Sequence, residues 1–187
     1  MTADAPARMI VVKKEEKELK LRQLILNGLA AATSASGPVV LRILAQSLMS
    51  PVARAACGLN PELVAAGIHA LVILAKTDRQ PASQFGDCCT WRHLADVRCH
   101  DAHELLVLGS QTVWVGDCLR REPASRDSYE LHAPCDPGMA VAAVQSFDRL
   151  WCKSLVLASC DEDSHSGLPA NLAARPADAL TQVMTRH

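Results

Sequence analysis

The side chains best suited to hold a metal lie between positions 88 and 103: Cys88, Cys89, His93, Cys99, His100 and His103. Thiolate and imidazole are zinc's preferred donors, and short loops let them converge on one ion. The spacing departs from a standard knuckle. No two cysteines in the chain are separated by two residues, and adjacent cysteines rarely share one tetrahedral ion. The favoured reading is a set of unpaired thiols and no cofactor. Zinc is the cofactor the alternative implies, and a thiol-based metal or redox regulator is a further alternative.

A second group of charged residues is Asp117, Arg120, Arg121, Glu122, Arg126, Asp127 and Glu130. Arginine forks grip phosphate or carboxylate with two parallel hydrogen bonds. Arg120, Arg121 and Arg126 with Asp117 therefore make a candidate anion site for a phosphate-bearing ligand. The favoured reading is a solvated loop whose charges pair with one another, or one buried arginine–carboxylate brace. Nucleophilic catalysis is not readable here: eight cysteines and seven histidines give too many pairings. No glycine-flanked serine elbow occurs, and Gly109 and Gly116 are too far apart for a phosphate loop.

The elements that must position these groups follow from apolar spacing. Residues 1–12 read as a loose tail and 13–76 as a helical region. Leu21, Leu24, Ile25, Gly28 and Leu29 mark one face of a first helix, ended near Gly37-Pro38. Leu41, Leu44, Ala45, Leu48 and Met49 have the spacing of a second, which Pro51 bends or ends. Asn60-Pro61-Glu62 opens a third, with a stripe from Val64 to Ala75 and His69 beside it. Residues 77–94 read as a linker loop. In 95–158, short apolar runs at Val97, Leu105 to Leu108 and Val113 to Val115 read as strands. Gly109-Ser110 marks a hairpin turn, and Asp136-Pro137 opens a helix with Ala140, Ala143, Val144, Phe147, Leu150 and Trp151 on one face. Residues 159–187 form a polar tail. The fold class is α/β, with α+β as the alternative: N-terminal amphipathic helices, a small strand-rich sheet and a capped helix.

Composition bounds the function. A chain of 187 residues, 49% apolar, suits one domain with a real core, built from aliphatic residues because aromatics are 3%. A net charge of −1 gives no basic surface for nucleic acid, which argues against that partner. A helix-turn-helix over Leu41 to Leu63 would likewise lack its basic face. The longest apolar stretch, Leu63 to Ala75, is too short to span a bilayer. The N-terminus has no secretory pattern, so a cytoplasmic protein with reduced thiols is expected.

Four runs carry a family resemblance: Glu104-Leu-Leu-Val-Leu-Gly109, Thr112-Val-Trp-Val-Gly116, Asp127-Ser-Tyr-Glu-Leu131 and Ser146-Phe-Asp-Arg-Leu-Trp151. Over residues 102–151 the chain resembles the second part of a phospholipase D superfamily repeat. Aligned on Gly116, the family's histidine falls at Ala102, its lysine at Glu104 and its aspartate at Gly109. Its serine falls at Asp117 and its asparagine at Leu119. The resemblance implies a scaffold without the family's phosphohistidine chemistry. Single-repeat members pair through their repeats, so it also implies self-association. The leading expectation is thus a non-catalytic binding or assembly protein, working with a protein partner or as a homodimer. The alternative is an enzyme on phosphodiester or phosphate ligands using Arg120, Arg121 and a nearby histidine.

Overall fold

Leu105 to Leu108 and Val113 to Val115 do form a hairpin, and it lies inside a much wider sheet. The computed structural model describes residues 8–12, 14–32, 39–76, 88–119 and 128–156. The strands are β1 (Arg8–Val12), β2 (Val40–Ala45), β3 (His69–Leu74), β4 (Cys89–His93), β5 (His103–Leu108), β6 (Thr112–Cys118), β7 (Ser128–Ala133) and β8 (Leu155–Val156). The helices are α1 (Lys14–Ala32), α2 (Pro51–Cys57), α3 (Asn60–Ala65) and α4 (Pro137–Lys153). Among the described residues eight strands join one sheet in the order β1-β7-β6-β5-β2-β3-β4-β8. Strands β2, β3 and β4 run parallel, and the remaining neighbours pair antiparallel. The class is α/β.

Helices cover both faces. Against one, Leu21, Leu24, Ile25 and Leu29 of α1 and Val52, Ala53, Ala55 and Ala56 of α2 meet Leu41, Ile43, Leu106, Leu108 and Trp114. On the other, Ala140, Ala143 and Phe147 of α4 meet Leu44, Ile73, Leu105, Val107 and Val113. The alternation of Leu105 and Val107 against Leu106 and Leu108 is the period-two pattern of a strand. The hairpin loop holds Gly109, Ser110 and Gln111, since Leu108 pairs with Thr112, and Gly109 has φ +62°. That left-handed conformation suits glycine, which has no Cβ to clash.

The first half departs from the helical expectation. Residues 41–45 are strand β2, not the second helix, and this removes the helix-turn-helix reading as well. Leu41, Ile43, Leu44 and Ala45 bury both faces of β2, so apart from Arg42 it is an apolar run without clean alternation, and such a run also satisfies helical spacing. Pro51 opens α2 at its first turn, where a missing N–H costs nothing, rather than ending a helix. The third helix starts at Asn60 as expected but stops at Ala65; Gly67, at φ +64°, turns the chain into β3. His69 therefore lies on a strand, with Nε2 2.8 Å from Thr90 Oγ1. Arg8–Val12, expected as tail, is strand β1 paired with β7. Cys89–His93, expected as loop, is β4 beside β3. Val97 begins a 3-10 turn, Val97–Asp101, not a strand. The α4 start is as expected: Asp136 accepts a hydrogen bond from the Met139 N–H at 2.9 Å. No helix among the described residues is long and apolar enough to cross a membrane.

Candidate functional site

Polar residues from α1, β5, β6 and β7, with Gln46 just past β2, meet at the edge where β2 ends and β5 begins. This is the carboxyl end of the parallel strands, the edge at which open α/β sheets hold ligands. Its centre is Glu130 on β7, 1% exposed. Lys17, in α1 and 4% exposed, places Nζ 2.8 Å from Glu130 Oε1 and 3.5 Å from Asp117 Oδ2. The other carboxylate oxygen, Oε2, accepts from Trp114 Nε1 at 2.8 Å and from His132 Nε2 at 3.3 Å. The Lys17 ammonium also lies 5.2 Å from the Trp114 ring centre, a cation–π distance.

Strand pairing explains this convergence. Trp114 pairs with His132, and their alternation partners Gly116 and Glu130 lie one step along. A Cβ on Gly116 would stand 2.3 Å from the Trp114 ring, so glycine leaves the space in which the indole lies. Between β5 and β6 the register slips: His103 pairs with Cys118 but Leu105 with Val115. Gly116 and Asp117 thus both face Glu104, as in a β-bulge. In strict alternation Asp117 would share the α4 face with Val113 and Val115; the bulge lets it reach Lys17 instead. The carbonyl of Gly116 in turn accepts from His103 Nδ1 at 2.9 Å.

Glu104, 6% exposed, adjoins this group. Its Oε1 accepts from the Gln46 backbone N–H at 3.1 Å, while the Gln46 side-chain amide donates to the Leu119 carbonyl at 2.7 Å. Burial pushes the Glu104 carboxyl above the ordinary glutamate range, against the pull of hydrogen bonds from Gln46 and Ser50. For Glu130, burial pushes the same way, but hydrogen bonds from His132, Lys17 and Trp114 outweigh it and hold the carboxyl below that range. Two neighbouring carboxyls are therefore driven in opposite directions, one by burial and one by its donors.

Of the sequence-derived anion site, Asp117 is in this cluster, where it neighbours Lys17; Arg120, Arg121 and Arg126 lie outside the described residues. The metal candidates are spread along the fold. Cys88 and Cys89 lie at the start of β4 and His93 at its end. Cys99 and His100 belong to the 3-10 turn, with Cys99 packed toward the α4-side core, and His103 opens β5. Among the described residues no three of His, Cys, Asp and Glu are grouped as a metal site requires. Lys17, Gln46, Trp114 and His132 were not foreseen. Lys17 sits in a run of alternating charges that reads as a solvated helix start, and nothing local marks it as buried.

No protein-family model and no curated protein matches the sequence. Among solved structures the fold is similar to that of TrmBL2, an archaeal chromatin protein whose structure shows a novel mode of DNA binding. The TM-score is 0.52 at 14% identity, over 83% of this chain and 56% of that one. The chain thus spans about half the length of that protein. Nuc, a phospholipase D family member from Salmonella typhimurium, is similar with a TM-score of 0.46 at 10% identity, over 72% of this chain and 91% of that one. At such identities the likeness is one of fold.

Proposed function

We propose that this chain is a non-catalytic α/β binding or assembly module whose partner is a protein or a second copy of itself. One observation carries the reading. The ionisable groups at the ligand-binding edge are engaged by one another, with Lys17 and Glu130 4% and 1% exposed and both Glu130 oxygens accepting hydrogen bonds or ion pairs. A base or nucleophile must reach its substrate within hydrogen-bond distance; here Lys17 and Glu130 are spent on holding α1, β6 and β7 together. The positions that the phospholipase D resemblance reserves for chemistry fit the same account: Glu104 and Leu119 are joined through Gln46 as a brace.

Two measurements on the full chain test this. Size-exclusion chromatography with light scattering is expected to show a dimer or, in a pull-down, a stoichiometric protein partner. A generic phosphodiester assay is expected to show no turnover. A strict monomer without a partner, or turnover abolished by Arg120→Ala/Arg121→Ala, would reverse the proposal. The DNA binding of TrmBL2 is that of a longer protein. For this chain, anisotropy with duplex DNA is expected to show no salt-dependent binding, since phosphate contacts weaken steeply with salt wherever they exist.

A further inference from the structure

A pair of thiols lies at the opposite edge of the sheet from the polar cluster. Successive side chains of a regular strand point to opposite faces, which would keep adjacent cysteines apart. Cys88 escapes this because it occupies the turn before β4, and only Cys89 is inside the strand. Their Sγ atoms are 3.7 Å apart, far beyond the roughly 2.0 Å of a disulfide and close enough to share one bridging atom. Neighbouring groups fix the pair. The Cys88 thiol donates to Asn60 Oδ1 at 2.9 Å, at the start of α3, and the Cys88 carbonyl accepts from the Ala70 N–H at 2.9 Å. Cys89 packs with Cys57 of α2 against the α1-side core, two residues before the buried Trp91. Cys88 and Cys89 are both partly exposed, and burial pushes the Cys89 thiol up to about 12, which keeps it protonated until a ligand takes the proton's place.

We propose that Cys88 and Cys89 form a chelating dithiol site for a trivalent arsenical. The geometry supplies two soft donors at the start of β4, held by the Asn60 and Ala70 hydrogen bonds to Cys88, so little ordering is left to be done on binding. With an organoarsenic oxide the step is a condensation. Each sulfur forms one bond to arsenic and the arsenic–oxygen bonds break. Both thiol protons leave on that oxygen as one water. Arsenic stays trivalent, so neither oxidant nor reductant enters. This site is independent of the binding reading above and needs only two donors, unlike a tetrahedral zinc site.

The test uses the reduced full chain with stoichiometric phenylarsine oxide, followed by excess glutathione, tryptic digestion and mass spectrometry. The expected result is one arsenical bridge on the peptide 80–92, which contains Cys88 and Cys89 and no other cysteine. The bridge should survive glutathione, a monothiol, and be removed by dimercaptopropanol. Cys88→Ser and Cys89→Ser should each lose the glutathione-resistant adduct. Mapping on the unsubstituted chain keeps the test decisive if either variant misfolds. An adduct located elsewhere, one washed out by glutathione, or one formed only after unfolding in urea would overturn the proposal.

Discussion

Lys17 and Glu130 form an ion pair that is removed from water, and its two halves are not equivalent to lose. Burying two charges costs much of what their attraction returns, so the intact pair adds little net stability, whereas one charge left alone is expensive. Lys17→Met is therefore expected to destabilise the chain by about 3–5 kcal/mol in urea denaturation. Adding Glu130→Gln should recover part of that loss, because the stranded carboxylate is removed; a double variant as unstable as the sum of the singles would refute the pairing. The two carboxyls also set opposite pH dependences. Glu130 is held below its unfolded value, so its stabilisation is present above roughly pH 4.3 and fades as the pH falls through its folded value. Glu104 is held above it, so its contribution is full below roughly pH 4.3 and is lost as the pH rises through its folded value. Glu104→Gln is accordingly expected to raise the urea midpoint at about pH 7 and to raise it less at about pH 4. An equal change at both values would show that burial does not govern this group.

Sequence spacing located the elements unevenly, and the reasons are physical. The β5–β6 hairpin and α4 carry local signals: a glycine at positive φ, apolar residues on two alternating faces, and an aspartate that caps its own helix. For β2 and β3 the signal is tertiary. With helices on both faces of the sheet, Leu41 to Ala45 and Ala70 to Leu74 are apolar almost throughout, and only the partners α1, α2 and α4 distinguish them from buried helix. The candidate site was legible in the same uneven way. Glu130 and Asp117 stand out as charges near strand ends, but Lys17 arrives from far away in sequence, and Asp117 turns toward it only because of a bulge. Local signals should also have local energies. Asp136 accepts from the Met139 N–H, and its removal frees one of the unpaired donors at the α4 start. Asp136→Ala is expected to cost about 1 kcal/mol in the same denaturation experiment, and Asp136→Ser distinctly less. Equal losses for the two would mean the side chain contributes packing rather than a cap.

Across the whole molecule the strand order interleaves the two halves of the chain. Strand β1 pairs with β7, β2 lies between β3 and β5, and β3 pairs with β4. The α1-side core likewise draws Leu21, Leu41 and Val52 from before residue 77 and Trp91, Leu106 and Trp114 from after it. A break at the expected 77–94 linker would expose the β5-facing edge of β2 and strip α1 and α2 of half the surface they cover. Unpaired strand edges and uncovered apolar faces are what a stable domain cannot leave open. The full chain is therefore expected to unfold in one transition. The probes separate in part, because all three tryptophans, Trp91, Trp114 and Trp151, lie after residue 77, while three of the four described helices, α1, α2 and α3, lie before it. Tryptophan fluorescence and far-ultraviolet circular dichroism should give coincident urea curves, as a two-state unit requires. A chain of residues 1–76 alone should show no cooperative transition. Two separated transitions, or a folded 1–76 fragment, would instead establish the helix-rich first half as a domain in its own right.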